Sequence, residues 1–126
     1  MALEQRLAAL EVSRVRRKAV ANLKKELAAL DGFGGSLLLA GVLRSYDLQS
    51  EAGELLGPAR VVALLDAIRG VGEERAYAYL RTAGITQRRR LRGLSARQRN
   101  ALAEVLEDRA TNQSTWKGNL RRSPRA

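Results

Sequence analysis

Apolar positions recur at three- and four-residue steps through most of this chain, the spacing of one helix face. Residues 3–30 form the longest such pattern. From Val12 onward Val15, Ala19, Val20, Leu23, Leu27 and Leu30 define an inward stripe, and Arg14, Arg17, Lys18, Lys24 and Lys25 project from the other side. Leu3, Leu7 and Leu10 make a separate short stripe on the basic side, so the first turns are expected to fray, with a bend near Val12 or cover by a partner chain as alternatives. Asp31-Gly32-Phe33-Gly34-Gly35 reads as the stop of this helix, and Ser36 as the cap of a second over about 37–46 with Leu38, Leu39, Val42, Leu43 and Tyr46 inward.

A polar connector, 47–57, holds Ser50 as a cap for one short turn. Gly57-Pro58 then opens a helix with proline in its first turn, carrying Val61, Val62, Leu65 and Ile68 inward and closing at Gly70. The next helix, about 73–83, turns Ala76, Leu80 and Ala83 inward and stops at Gly84; Tyr77 and Tyr79 read as packing residues rather than base-stacking platforms. Ser95 followed by Gln98 is a capping box for a last helix, 96–108, with Ala101, Leu102, Val105 and Leu106 on its core face. The predicted fold is therefore all-α: a long N-terminal helix and a compact bundle of about four shorter ones. One domain, 1–108, contains the long helix 1–31, and a basic tail, 109–126, lacks periodicity and is expected to be disordered.

Charge narrows the function. The 126 residues hold 23 Lys+Arg against 13 Asp+Glu, a net charge of +10, which favours polyanions and makes binding sensitive to salt. Cysteine and histidine are both absent, which removes disulfides, thiolate chemistry, imidazole acid–base work and the usual zinc ligands. No run approaches membrane-spanning length and the first residues do not open a signal peptide, so the expected location is the cytoplasm, with no membrane partner. No constellation of catalytic groups stands out, so the chain reads as a non-enzyme without metal or cofactor.

The positive residues are clustered. Gly70-Val71-Gly72 is a tight turn whose amides precede a helix, a place that favours an anion, with Arg75 one turn on. Between 88 and 99 there are six arginines, Arg88, Arg89, Arg90, Arg92, Arg97 and Arg99, and no acid. Arg97 and Arg99 stand at the positive end of the last helix, a placement unfavourable by a few tenths to about 1 kcal/mol each unless an anion sits there. Turn and arginines together read as a phosphate site for a nucleic acid. The basic face of the first helix, Arg14 to Lys25, is either a solvated face or a second nucleic-acid surface. In the tail, Lys117, Arg121, Arg122 and Arg125 with Trp116 read either as minor-groove contacts or as a solubilising end.

The run Leu64-Leu65, Gly70-Val71-Gly72, Ala76, Gly84-Ile85, Arg89-Arg90-Leu91-Arg92-Gly93-Leu94, Gln98-Arg99 and Ala101-Leu102 resembles the actinobacterial-type integration host factor family. The resemblance covers about residues 1–107 and implies an S13-like, helix-two-turns-helix core over 58–108. It further implies a nucleoid-associated protein that binds duplex DNA with little sequence preference, bends or compacts it, and assists phage integrase complexes. Its DNA-contacting arginines fall on Arg89, Arg90 and Arg92, and its phosphate turn on Gly70–Gly72. Three positions depart from the family pattern: Arg69 replaces a proline, Glu73 a lysine, and Ser95 the second glycine of a Gly-Leu-Gly. Structured RNA, as in the ribosomal relatives of the fold, or an adaptor role in a recombination complex are the alternative functions. A monomer is the expected state.

Overall fold

A computed structural model describes residues 2–122, with side chains described over 2–111. Six α-helices follow in order: α1 Leu3–Ala29, α2 Gly32–Ser45, α3 Glu51–Leu56, α4 Val61–Ala67, α5 Gly72–Thr82 and α6 Ala96–Arg122. A single 3-10 turn, Leu91–Gly93, precedes the last. α2 lies along α6, α4 and α5 form a helical hairpin, and the second half of α1 packs across α2, α3 and α4. Their shared core is aliphatic: Leu27, Leu39, Leu64, Leu65, Leu80 and Leu102 are fully buried. Removing these side chains from water is the main term holding the bundle together, at about 25 cal/mol per Å² of apolar surface.

α1 does not fray. It is one continuous helix, and only Leu23 and Leu27 of its predicted stripe are buried; Val15 and Leu30 are largely exposed, correcting their assignment to the core. Its first turns extend away from the body, leaving Leu3, Leu7 and Leu10 at 69%, 57% and 57% exposure.

The glycine run after α1 is a helix start, not a connector. Asp31 caps α2 by accepting from the Gly34 amide at 2.7 Å, so Gly32–Gly35 form its first turn. Ser36 is therefore not a cap: it is fully buried, and its Oγ donates to the Gly32 carbonyl at 2.7 Å. The glycines are there for packing. A Cβ on Gly32 would lie 2.9 Å from the Arg69 carbonyl, and one on Gly35 would lie 3.1 Å from Ile68 Cγ2.

Ser50 caps α3 as its spacing predicts, accepting from the Gly53 amide at 2.9 Å. Pro58, by contrast, does not open α4. Residues 57–60 form a turn, and the helix begins at Val61 because the preceding backbone is engaged elsewhere. Arg60 and Arg90 form an isolated antiparallel bridge; the Val61 amide donates to the Arg89 carbonyl at 3.1 Å, and the Leu91 amide donates to the Ala59 carbonyl at 2.8 Å. The arginine loop is thus stitched to the start of α4.

The Ser95–Gln98 capping box forms reciprocally, with Gln98 N to Ser95 Oγ at 3.1 Å and Ser95 N to Gln98 Oε1 at 3.0 Å. α6 then continues past the expected end at 108, because Ala110 is buried and Arg109 donates to the Gly32 carbonyl at 3.0 Å and to Ser36 Oγ at 2.8 Å. Arg109 therefore belongs to the bundle and not to the tail. The proposed tail contacts, Trp116, Lys117, Arg121, Arg122 and Arg125, lie outside the residues whose side chains are described.

Candidate nucleic-acid interface

The α4–α5 hairpin turns on two left-handed glycines, Gly70 at φ +85° and Gly72 at φ +69°, conformations that a side chain would strain. Both are exposed, and among the described residues neither amide is hydrogen-bonded to the rest of the chain. Val71 corrects the expectation of an open three-residue cradle: its side chain is buried and its amide donates to the Ile68 carbonyl at 3.1 Å. The turn therefore offers the two glycine amides at the positive end of α5.

Cations of its own surround this turn. Arg75 donates to the Gly70 carbonyl at 3.1 Å, Arg69 is exposed beside it, and the Arg109 guanidinium lies beneath, 3.3 Å from where a Cβ on Gly70 would stand. Glu73, which replaces a lysine of the family pattern, accepts from the Tyr77 hydroxyl at 2.9 Å, so its carboxylate is held along the helix surface. That hydrogen bond is also the leading reason the Tyr77 hydroxyl is harder to ionise than an ordinary tyrosine.

The arginine loop is stitched to the opposite end of α4 from this turn. It pairs with the start of α4 while Gly70 follows its end, so the two are separated by the length of a seven-residue helix, about 10 Å at 1.5 Å per residue. What the structure brings to the loop is the basic face of α1. Arg16, Arg17 and Lys24 of α1 line a groove of about 450 Å³ together with Arg60 and Arg90. Arg90 is steadied there by its bond to the Pro58 carbonyl at 3.1 Å. Arg16 pairs with Glu54 at 2.9 Å through one nitrogen, while its Nε is buried without a partner.

Sequence reasoning missed Arg16 and Arg60. Arg16 sits between the apolar and basic faces of α1, and nothing local signals that Arg60 will pair with residue 90. Of the other α1 cations, Arg14 lies 3.6 Å from Glu11, while Lys18 and Lys25 are exposed outside the groove.

The six loop arginines have different fates. Arg88, Arg89 and Arg92 are exposed, Arg89 with only a long 3.4 Å bond to the Gly93 carbonyl. Arg97 lines a second, shallow cavity of about 610 Å³ with Arg81, Gly84, Ser95 and Gln98, where α5 ends and α6 begins. Arg99 is occupied: it stacks 5.3 Å from the centroid of the Tyr46 ring and donates to the Leu94 carbonyl at 3.0 Å. Its position at a helix N-terminus, read as a sign of a bound anion, is explained by these internal contacts. Among the described residues no cluster of acidic side chains is arranged to hold a metal ion, and no helix is long and apolar enough to cross a membrane.

Residues 37–111 match the model of a family described as the S13-like H2TH domain. The chain is 42% identical over 101 residues to a protein of Mycobacterium tuberculosis named integration host factor, covering 80% of this chain and 88% of that one. It is 35% identical over 95 residues to the protein of the same name from Streptomyces coelicolor, covering 75% and 80% of the two chains. Its fold is similar to a solved structure of sIHF bound to an 8-bp palindromic DNA, with a TM-score of 0.56 at 26% identity, covering 76% of this chain and 98% of that one.

Proposed function

The chain belongs to the integration host factor family and carries an S13-like H2TH domain, and on that premise we propose that it is an architectural DNA-binding protein. It binds double-stranded DNA through the phosphate backbone with little sequence preference, and bends or compacts it. The observation that carries this is the convergence of Arg17 and Lys24 from one end of the chain with Arg60 and Arg90 from its middle in one groove that is lined by no acid among the described residues. Arg16 beside them is paired with Glu54, so four cations from three separate segments are held together there, an arrangement whose mutual repulsion is relieved by a polyanion.

The contact set we propose comprises Arg88, Arg89, Arg90 and Arg92 of the loop, Arg60 beside them, and Arg17 and Lys24 of α1. A second set comprises the amides of Gly70 and Gly72 with Arg69 and Arg75. Backbone contacts of this kind position a protein on DNA without reading bases, so any preference comes from groove width and deformability. The protein works in the nucleoid as a monomer, performs no catalytic step, and lends a bent duplex to complexes such as that of a phage integrase.

Fluorescence anisotropy with a labelled duplex, chased by unlabelled duplex or structured RNA at one salt concentration, tests the choice of nucleic acid. Duplex DNA is expected to compete better. Stronger competition by structured RNA would move the assignment to an RNA-binding protein. End-labelled duplexes brought closer together on binding, read by energy transfer, would support bending; an unchanged end-to-end distance would refute it.

A further inference from the structure

We infer that the groove between α1 and the start of α4 is a binding site for a free nucleoside polyphosphate, whose occupancy displaces DNA from the same arginines. The site itself does not depend on the DNA assignment; only the displacement does.

Size and chemistry both point this way. At about 450 Å³ the groove falls within the roughly 300–1,000 Å³ of small-ligand sites. Its walls are Arg16, Arg17, Lys24, Arg60 and Arg90, while its floor is apolar, built from Val20, Ala21, Pro58, Ala59 and Ala63. A bare phosphate has no use for such a floor, and an apolar ligand has none for five cations. A nucleotide has both halves: oxygens for the guanidinium forks and a flat base to lie on the aliphatic floor against an arginine plane.

The site is also prepared. The Arg60–Arg90 bridge fixes the two walls relative to each other, and Arg90 is held on the Pro58 carbonyl while its remaining N–H groups stay available. No floor side chain carries a hydrogen-bonding group, so the base is bound without being identified and adenine and guanine nucleotides should serve alike.

The test is a titration of the full chain, free of DNA, with ATP carrying a fluorescent label on its ribose. Unlabelled ATP and GTP are expected to displace it equally, inorganic tripolyphosphate about tenfold less well, and adenosine not at all. Arg60→Ala with Arg90→Ala is expected to weaken binding at least tenfold. Ala21→Trp fills the groove from an exposed helical position and should do the same with the helical circular dichroism unchanged. Equal displacement by ATP and tripolyphosphate, or unaltered binding by Ala21→Trp, would overturn the site. Adding ATP to the preformed duplex complex then reads the displacement. Nucleotide binding in a chain that fails to bind duplex at all would sink the DNA assignment and leave the groove standing, whereas duplex binding without nucleotide binding would do the reverse.

Discussion

Arg89→Ala/Arg90→Ala/Arg92→Ala should make DNA binding less dependent on salt, by an amount set by how many of these side chains are free to meet phosphate. All three are exposed; Arg89 keeps one weak bond at 3.4 Å and Arg90 one at 3.1 Å, each leaving most of its guanidinium donors open. Each phosphate contact contributes about 0.9 to the slope of log K against log salt, so losing three should make that slope shallower by about 2.7. Over a fourfold rise in salt this corresponds to a difference of roughly 40-fold in how far affinity falls. Arg60→Ala alone should remove about 0.9 from the slope, although its sequence neighbourhood gives no hint of a binding role. Arg99→Ala is the control. Its guanidinium is engaged by Tyr46 and the Leu94 carbonyl, so its loss should leave the slope unchanged and lower folding stability by about 1–2 kcal/mol. Anisotropy titrations at four or more salt concentrations, with urea unfolding of each variant, supply both numbers. A slope unchanged in the triple variant, or one that falls as much for Arg99→Ala as for Arg60→Ala, would refute the assignment of the loop.

Three further outcomes concern the fold. Gly53→Ala should destabilise by about 2–4 kcal/mol in urea unfolding, since the added Cβ would overlap the Asp47 carbonyl, whereas Gly41→Ala, with open space around it, should stabilise by about 0.5–1 kcal/mol. Replacing Leu3, Leu7 and Leu10 together by serine should change stability little, because all three are already largely exposed; a loss of several kcal/mol would show that they are covered in solution. Stability against pH should be level across the neutral range. The Arg44 hydrogen bonds at 2.7 and 2.8 Å hold the Glu107 carboxyl below its ordinary pKa, so that contribution is present above the usual carboxylate range and is lost as pH falls through it. Burial raises the Tyr46 hydroxyl, so its contribution is complete below the ordinary tyrosine pKa near 10 and is lost as pH rises beyond. Thermal unfolding over pH checks both limbs, and Arg44→Met should flatten the acid one.

Local signals in this sequence were legible where a side chain and its partner are three or four residues apart. The Ser50 cap, the Ser95–Gln98 box and the buried faces of α4 and α5 are of that kind. The misreadings share a different cause. Gly32, Gly34 and Gly35 look like a helix stop, but two of them are required by backbone and side chains of residues 68–69, far along the chain. Pro58 looks like a helix opener, but the next two residues are taken by the strand-like pairing with 89–91. Ser36, Arg99 and Arg109 look polar and available; each is committed to a distant partner. A pattern of spacing carries no information on such long-range pairings, and the groove, made entirely of them, was invisible for the same reason.

The separation of the glycine turn from the arginine loop bears on how the protein would hold a duplex. A single phosphate site could be approached from many directions and would fix nothing. Here the exposed amides of Gly70 and Gly72 stand beyond one end of α4, and Arg60 with Arg90 at the other, about 10 Å of helix apart. Two phosphates engaged across that rigid distance determine how the duplex lies on the protein. A helix length of that order is close to the roughly 12 Å width of an undistorted major groove and exceeds the roughly 6 Å of a minor groove, so the two ends together constrain where the duplex lies. On this reading bending comes from drawing further phosphates onto the remaining cations once these two ends are engaged as anchors, with no base contact needed. Moving the anchors is the decisive perturbation: Gly72→Ala strains the φ +69° turn and should weaken bending measured by energy transfer more than it weakens binding, while Arg90→Ala should weaken binding at least as much as bending. Equal loss of both quantities in the two variants would show that the ends act as one undivided patch.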